Sequence, residues 1–359
     1  MKSDDSSLRD TPQILAAAES HARELSRFLG NGFQMTPRQR GILSPEMLRW
    51  KYFEPRGHWT GPRSFIVEAD GKILAHIGVT TTEFVMAHDP AQTVPAVFPV
   101  DWLSSQQGGM LGAMLMLKAF GRGQVQYSFG STESGQKVLL GAGFKPVCRV
   151  PSFWKVFRPG RLPVWQMIHG QQKIPKRMAL LAVDMGRSIF HPGLAAAKID
   201  LELEPVQEFT GEIAAVLRAS RERFVCTSRA PELLNYLLRL PGGRVGGWRC
   251  KIAGRLAGFA LTSVGERDGF RVGKIVDCFM AEADATTWQS AIRALTGKLV
   301  GAGCDVAQAM ASAPRFQRAL RAGGYFPRGG GTLFLRDFRN LLPLNLPFHL
   351  TLLDGDQGY

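Results

Sequence analysis

A glycine-rich turn between an apolar strand and an apolar helix is the part of the sequence best suited to bind a phosphate. The segment 104-SSQQGGMLGAMLMLKAF-120 directly follows the apolar stretch 95–103 and contains Gly108, Gly109 and Gly112. Glycines let a backbone approach a ligand closely, and the free N–H groups at a helix N-terminus attract anions. The pattern predicts a phosphate site here. The alternative is an ordinary core helix over 109–120 that the chain enters through a flexible turn.

The residues around this turn resemble the acyl-CoA signature of the GCN5-related N-acetyltransferases (GNAT). That signature is Gln or Arg, two residues, Gly, one residue, and then Gly or Ala, at a strand-to-helix turn. Gln106 and Gly109 match its first two places, whereas Leu111 stands at the third. The later pair Gly143-Phe144 is similar to the Gly-Phe that ends the last helix of this fold.

The resemblance implies where an acyl-CoA would bind. The strand end, around Val100 and Trp102, would receive the pantetheine arm. Acetyl-CoA or another acyl-CoA is therefore the expected co-substrate, and no metal is expected. The pyrophosphate would lie beside Gln106 on the backbone amides of Gln107, Gly108, Gly109, Met110, Leu111 and Gly112.

In this family a substrate amine attacks the thioester directly, and a base takes the ammonium proton. Asp101, at the end of the strand, is the candidate base, and Glu133, near the start of the following helix, is the second candidate. The alternative for each is an ordinary solvated carboxylate or a helix-end cap. The position of the family's thiol-protonating Tyr is Leu139 here. The resemblance then implies that water replaces this acid, or that the domain does no chemistry.

An internal repeat indicates that the chain contains one fold twice. Three segments recur in the same order at offsets of 186, 183 and 181 residues. The repeat and the resemblance predict an α/β protein, an α+β mixed sheet, with a tandem duplicated GNAT-like fold. The matching segments are 44–57 with 230–243, 71–78 with 254–261, and 124–146 with 305–327.

The hydrophobic pattern predicts in each copy a strand hairpin that leads into a β-α-β-α-β run. In the first copy we expect helices near 11–29, 44–52, 109–120 and 133–141 and strands near 63–69, 72–82, 93–103, 124–130 and 144–157. In the second we expect strands near 245–252, 255–264, 271–281, 305–311 and 331–335 and helices near 285–302 and 313–322. The predicted bounds are a first domain over 1–157, a basic amphipathic connector over 158–200, a degenerate second domain over 201–340 and a tail over 341–359.

The second copy departs from the signature at the corresponding turn, 281-AEADATTWQSAI-292. This turn has no glycine, and Glu282 and Asp284 would repel a pyrophosphate. We therefore expect no CoA there, and at most one cofactor site in the chain.

The charge balance favours anionic partners without naming one. Lys and Arg number 44 against 30 Asp and Glu, which gives a net charge of +14. No helix-turn-helix, zinc-finger or aromatic ribonucleoprotein motif accompanies this charge, so no nucleic-acid partner is expected. The densest basic cluster of the first copy predicts a solvated face, or alternatively a patch for an anionic substrate. It consists of Arg49, Lys51, Arg56 and Arg63.

The sequence favours a cytoplasmic protein. The five cysteines are scattered and form no C-x-x-C pair, the N-terminus has acidic residues where a signal peptide needs an apolar core, and no stretch reaches the roughly 18 apolar residues of a membrane span. The basic amphipathic segment 158–190 could lie on a membrane surface; the alternative is that it packs across the domains with its charge outside.

The functional hypothesis is an acyl-CoA-dependent N-acyltransferase that acetylates a small-molecule amine, on an amino sugar or a related cell-envelope precursor. The paired copies, the segment 48-LRWKYFEPRG-57 and the terminal 349–359 resemble bacterial double-domain GNAT-like proteins of envelope-polysaccharide pathways. The alternative is a catalytically inactive GNAT-fold binding or scaffold protein in such a system. Leu111 and Leu139 keep that alternative open.

Overall fold

The structure, a computed structural model, describes residues 11–35, 39–56, 59, 61–86, 89–105, 109–129, 133–161, 199–220, 223–282 and 284–355. By compactness these fall into two units. The first comprises Met1–Glu83 and Pro95–Tyr127, and the second comprises Phe84–Val94 and Ser128–Tyr359. The domain bounds derived from the repeat stay a prediction.

The first unit is built on strands in the order β1-β2-β3-β4-β5. Along the chain, two α-helices and a π-helix lie between β1 and β2, and a third α-helix lies between β4 and β5. Its elements are β1 (Gln13–Ala16), α1 (Ala22–Gly32), α2 (Pro45–Leu48), a π-helix (Arg49–Phe53), β2 (Ser64–Ala69), β3 (Lys72–Met86), β4 (Asp89–Ser104), α3 (Gly109–Phe120) and β5 (Val125–Ser128), with 3-10 turns at Glu19–His21 and Gln39–Leu43; the ends of β3, β4 and β5 run into the second unit.

Two predictions for the N-terminal region need correction. The expected helix over 11–29 begins as a strand, because Gln13–Ala16 pairs antiparallel with Phe65–Glu68 of β2, and the helix starts only at Ala22. The helix expected near 44–52 is also composite: α2 has four residues and continues as a π-helix to Phe53. Backbone pairing with a neighbouring strand overrides helix propensity in the first case.

The second unit has strands in the order β13-β6-β12-β11-β10-β9-β7. β6, the predicted last strand of the first copy, pairs antiparallel with both β12 and β13. The elements of this unit are α4 (Glu133–Gly141), β6 (Lys145–Val156), β7 (Leu201–Val206), α5 (Glu212–Arg218), β8 (Val225–Thr227), α6 (Pro231–Leu238), β9 (Val245–Ile252), β10 (Arg255–Arg267), β11 (Phe270–Met280), α7 (Ala285–Gly301), β12 (Val306–Met310), α8 (Pro314–Ala322), β13 (Phe326–Arg336), β14 (Phe348–His349) and a 3-10 turn at Leu352–Asp354.

The hairpins that the sequence predicted are present in both copies. β2 turns into β3 through Asp70-Gly71, and β9 turns into β10 through Ala253-Gly254; both residues of each pair have positive φ. This is the geometry of the tightest two-residue hairpin turns, which require a glycine or a tolerant residue at each position. The mixed sheet and the repeated order of elements confirm the predicted fold class.

Candidate functional site

Asp101 lies at the end of β4 with an unusual backbone conformation. Its φ is +47°, in the left-handed region that residues other than glycine rarely adopt. Its carbonyl oxygen accepts a hydrogen bond from Nδ1 of His76, a fully buried residue of β3, at 2.8 Å. Nε2 of the same ring lies 3.0 Å from Oγ of Ser64 on β2.

The Asp101 contact fixes the tautomer of the neutral His76 ring. The Asp101 carbonyl can only accept, so Nδ1 carries the hydrogen, and Nε2 of the neutral ring accepts from the Ser64 hydroxyl. Burial lowers the pKa of His76 to about 4, against the opposing charge of Asp101. His76 is therefore neutral near pH 7, and it holds the bend of β4 at Asp101.

The carboxylate of Asp101 is bound by two residues of the π-helix. Its Oδ2 accepts from Nζ of Lys51 at 2.8 Å and from the hydroxyl of Tyr52 at 2.5 Å. Lys51 and Tyr52 are each 4% exposed, and the Asp101 side chain is 11% exposed. Burial alone would raise the pKa of Asp101, but the charge of Lys51 and the hydrogen bonds from Lys51 and Tyr52 outweigh it, and the pKa is lowered.

This environment bears on the chemistry expected of Asp101. A carboxylate with a lowered pKa is fully ionised near pH 7 and accepts a proton less readily than a free one. The role of base thus stays a prediction for kinetics to test. What the geometry supports directly is a fixed negative charge at the strand end, held by a buried cation and a tyrosine.

Local sequence explains how Lys51 and Tyr52 are placed. Ser44 caps α2, accepting from the Met47 amide at 3.2 Å, and Pro45 occupies the first helical position, where no amide donor is needed. The chain then widens into a π-helix, a feature frequent at functional sites. A Cβ at Gly78 of β3 would overlap the Tyr52 hydroxyl, so glycine is required there for the ring to fit.

The prediction that the basic cluster forms a solvated face is wrong for two of its four residues. Lys51 and Arg63 are each 4% exposed. Lys51 pairs with Asp101. Arg63 donates to the carbonyl oxygens of Tyr52, in the π-helix (from Nε, 3.3 Å), and of Glu54, which directly follows that helix. Buried cations persist where they are paired with a charge or hydrogen-bonded, and Lys51 and Arg63 each have such partners. Arg49 does lie at the surface, in an ion pair with Glu19.

The helix that follows the predicted phosphate turn packs closely on the end of β4. Nε1 of Trp102 donates to the carbonyl oxygen of Gly112 in α3 at 3.1 Å, and a Cβ at Gly112 would lie 2.9 Å from Oγ of Ser104. Gly112 thus lets the first turn of α3 approach the strand. Gly109 begins α3, and the Met110 side chain is 82% exposed. Gln106, Gln107 and Gly108 lie outside the described residues.

The end of β4 extends past its parallel pairs with β5. β4 pairs in parallel with β5 at Ala96 with Val125 and at Val97 with Gln126, and β4 then continues to Ser104. Val100, expected near the pantetheine arm, has a buried side chain, so only its backbone would face a ligand.

The second candidate base lies in the second unit. Glu133 begins α4 with a side chain that is 86% exposed, and its Oε1 is 3.3 Å from Nζ of Lys137 one turn on. Such exposed pairs contribute little to stability. Leu139, at the position of the family's acid, is buried.

In the corresponding turn of the second copy, Glu282 and Asp284 both form hydrogen bonds with α7, the helix that follows. Oδ1 of Asp284 caps α7 by accepting from the Thr287 amide at 2.8 Å, and the Glu282 carbonyl accepts from Nε1 of Trp288 at 2.9 Å. Asp284 thereby places its own negative charge at the helix end where a phosphate would bind in the first copy.

Two searches of the described residues bear on partners. They contain no group of three or more His, Cys, Asp or Glu that could hold a metal ion. In that same part of the chain, the helices are all too short or too polar to cross a membrane.

Solved structures resemble this chain over almost its whole length. No protein-family model and no curated protein matches the sequence. N-myristoyltransferase from Saccharomyces cerevisiae with bound myristoyl-CoA matches with a TM-score of 0.60 at 12% identity, covering 93% of this chain and 84% of that one.

Two bacterial structures match comparably. A GCN5-related N-acetyltransferase from Anabaena variabilis has a TM-score of 0.56 at 12% identity, and a probable N-acyltransferase from Enterococcus faecalis has 0.55 at 10%; each match covers 91% of this chain and 72% of the other. Together with the repeated β-α-β-α-β order and the glycine-lined start of α3, these matches show that the chain has a tandem GNAT fold.

Proposed function

We propose that the protein is an acyl-CoA-dependent N-acyltransferase whose donor site is in the first copy. The observation that carries the proposal is the close approach of α3 to the end of β4, where Gly112 packs on Ser104 and Trp102 anchors the first helical turn. The structures most like this chain include an enzyme with bound myristoyl-CoA and a probable N-acyltransferase, which supports the same class of donor.

The residues present fit an acyl-CoA. The backbone from Gln106 to Gly112 would hold the pyrophosphate, and the strand end at Val100 and Trp102 would receive the pantetheine arm. The side chain of Met110, the second residue of α3, is exposed, so this part of the helix start is open to solvent. The net charge of +14 favours a donor that carries several phosphates.

The reaction is the transfer of an acyl group, most simply acetyl, from sulfur to nitrogen. The amine nitrogen attacks the thioester carbon, a C–N bond forms, the C–S bond breaks, and the thiolate leaves. One proton leaves the amine, with Asp101 and Glu133 as the candidate acceptors, and water protonates the thiolate because Leu139 cannot. We propose a small-molecule amine acceptor, such as an amino sugar of a cell-envelope precursor.

Calorimetric titration with acetyl-CoA tests the donor site. The unaltered protein should bind one equivalent, and Gly109→Trp should weaken binding at least about tenfold, because a large side chain at the helix start blocks access to the backbone amides. Gly297→Trp is the matched control, since Gly297 lies on α7 of the second copy with open space around it. Absence of binding by the unaltered protein refutes the proposal.

Release of free CoA with a panel of amines then tests catalysis. An enzyme of this class releases CoA only when an accepted amine is present. If acetyl-CoA binds but no amine releases CoA, the second candidate function is favoured: a catalytically inactive binding or scaffold protein, consistent with Leu111 in the signature and the buried Leu139.

A peripheral membrane contact through 158–190, in a protein that acts in the cytoplasm, is a separate proposal supported by the basic and apolar residues of that segment. Residues 162–190 lie outside the described part of the chain. Binding to anionic vesicles should weaken between low and high salt, because screening removes the attraction. Equal partitioning at both salt concentrations contradicts the proposal.

A further inference from the structure

The second copy has a carboxylate at the position of Asp101. Asp277 on β11 lies eight residues before the first residue of α7, as Asp101 on β4 lies eight residues before α3. A β-bulge immediately precedes it: Leu261 of β10 pairs with Asp277 and Thr262 pairs with Ile275, so Val276 is the extra residue. Both copies therefore bend the same strand at the same acidic residue.

In the second copy this carboxylate is buried in an ion cluster that includes a residue from the C-terminal part of the chain. Oδ2 of Asp277 accepts from Nε of Arg229 at 3.0 Å. The same guanidinium donates to both oxygens of Asp354, at 2.7 and 2.8 Å. Arg229, Asp277 and Asp354 are each at most 2% exposed. The C-terminal segment thus supplies the second anion of a buried three-residue ion cluster.

The same segment is also bound to the neighbouring strand end. Ser312, two residues after β12, donates its amide to the carbonyl oxygen of Leu350 at 3.0 Å, and its Oγ accepts from the Leu350 amide at 2.7 Å. The Ser312 hydroxyl in turn donates to the carbonyl oxygen of Phe348 at 2.5 Å. Leu350 is fully buried.

Between these anchors, His349 fills an aromatic pocket. Its ring packs against Phe279 of β11, Trp288 of α7 and Phe316 of α8, with centroid distances of 5.7, 6.2 and 6.1 Å. These three residues belong to the strand and the two helices that surround the end of β11. The side chain of His349 is only 5% exposed.

In the described part of the chain, β11 and β12 pair over the first half of β11 and not at its end. β11 and β12 pair in parallel from Val272 with Val306 to Ile275 with Ala309. Beyond these pairs, the end of β11 contacts the C-terminal segment through Asp277 and Phe279, and the end of β12 contacts it through Ser312. The segment thus contacts both strand ends, and its residues Phe348 and His349 also pair in parallel with Val225 and Cys226 of β8.

We propose that the second copy is a strand-binding cleft whose ligand is the chain's own segment Phe348–Asp354. This rests on the proposed function in one respect: the cleft corresponds by the repeat to the place where we propose that the first copy receives the pantetheine arm. The segment, together with the acidic residues Glu282 and Asp284, therefore reserves donor binding for the first copy. A polypeptide replaces the acyl-CoA as the occupant of the duplicated fold.

Hydrogen exchange of the full chain tests the occupancy directly. The amides of Ser312, Leu350 and Thr351 should exchange as slowly as the paired amides of β11 and β12, and saturating acetyl-CoA should leave their rates unchanged. Exchange faster than in the paired amides by about 100-fold or more, or release of the segment by acetyl-CoA, overturns the proposal.

A pair of variants tests the anchoring. Leu350→Asp places a charge in a fully buried site and should accelerate exchange over Phe348–Asp354 about 100-fold. Leu344→Asp, four residues before the segment and at a side chain that is 52% exposed, should not. Unchanged exchange in Leu350→Asp overturns the proposal, and if that variant fails to fold, the exchange of the unaltered chain decides.

Titration separates this proposal from the proposed function. If the unaltered chain binds one equivalent of acetyl-CoA and Gly109→Trp binds none, the result supports both the acyltransferase and the self-occupied cleft. Two equivalents, or an equivalent that survives in Gly109→Trp, overturn the self-occupied cleft but leave the acyltransferase. No binding refutes the proposed function, and the exchange experiment still decides whether the segment occupies the cleft.

Discussion

The imidazole of His76 donates from Nδ1 to the carbonyl oxygen of Asp101 at 2.8 Å, and this bond supports a backbone bend that no glycine provides. A left-handed residue in a strand turns its carbonyl away from the ladder, so the acceptor needs another donor. Because Ser64 holds the other ring nitrogen, the donor cannot rotate away. The placement of the Asp101 carboxylate therefore depends on a histidine 25 residues earlier in the chain.

Substitution of His76 should separate its donor role from its bulk. His76→Leu removes the donor and leaves the Asp101 carbonyl buried without it, which should lower the free energy of unfolding by about 1–3 kcal/mol. His76→Asn retains an amide donor near the position of Nδ1 and should recover part of the loss. Urea denaturation measures both. Equal destabilisation by the two substitutions would show that shape alone matters.

Removal of the Tyr52 hydroxyl should weaken the hold on the Asp101 carboxylate. Tyr52→Phe deletes a buried hydrogen bond to a charged acceptor, a loss of about 1.5–3 kcal/mol in the free energy of unfolding. It should also raise the pKa of Asp101, because one stabilising contact of the ionised form is gone. If Asp101 takes the substrate proton, the acidic limb of the kcat/KM profile moves to higher pH.

A second buried tyrosine provides the control for that experiment. Tyr325→Phe removes a hydroxyl that lies 3.0 Å from Oγ1 of Thr296 in the second unit. It should affect stability without moving the acidic limb. A limb that moves equally in both variants would contradict a specific role for Tyr52.

The sequence predicted the elements better than the groups that meet at the site. Alternating and helical patterns located the hairpins and the β-α-β-α-β runs because each depends on neighbouring residues. The glycine turn and Asp101 were found from their place after a strand. The sequence indicates a surface charge at Lys51, because a Lys-Tyr pair in a basic segment gives no sign that a π-helix buries both side chains.

Contacts distant in sequence account for what was missed. No local pattern marks His76 as part of a site, because the pairing of β2 with β3 is what places it beside Ser64. The C-terminal residues read as a tail, yet Asp354 completes an ion pair with Arg229, 125 residues earlier. Such pairings are set by topology rather than by local pattern.

Mild acid should destabilise the protein before its carboxylates titrate. Burial lowers the pKa of His76 and of His349 to about 4, from an ordinary value of 6.5. Between these values the unfolded chain binds protons that the folded chain does not, so stability is complete above pH 6.5 and falls towards pH 4. Each histidine accounts for about 3 kcal/mol at most across this window.

The charged groups that act on the two histidines are different. Asp101 and Lys51 act on His76, whereas Asp277, Arg229, Asp354 and Arg315 act on His349. The pKa values of Asp101 and Asp354 are lowered, so their contribution is lost only as the pH falls below the ordinary aspartate range. Thermal unfolding of His349→Phe should therefore show a smaller drop in Tm from pH 7 to pH 5 than the unaltered chain. An identical drop would contradict the assignment.

A methyl group at Gly112 should disturb the packing of α3 on β4. Alanine normally stabilises a helix interior by about 1 kcal/mol relative to glycine, and Gly297→Ala on α7, where the space is open, should show this gain. Gly112→Ala should not gain this stability and should weaken acetyl-CoA binding, because the new Cβ would lie 2.9 Å from Oγ and 3.0 Å from Cβ of Ser104. Combining Gly112→Ala with Ser104→Gly removes both clashing atoms and should restore acetyl-CoA binding. If Gly112→Ala alone gains stability as Gly297→Ala does and binds acetyl-CoA normally, the close approach of helix and strand is not what the donor site requires.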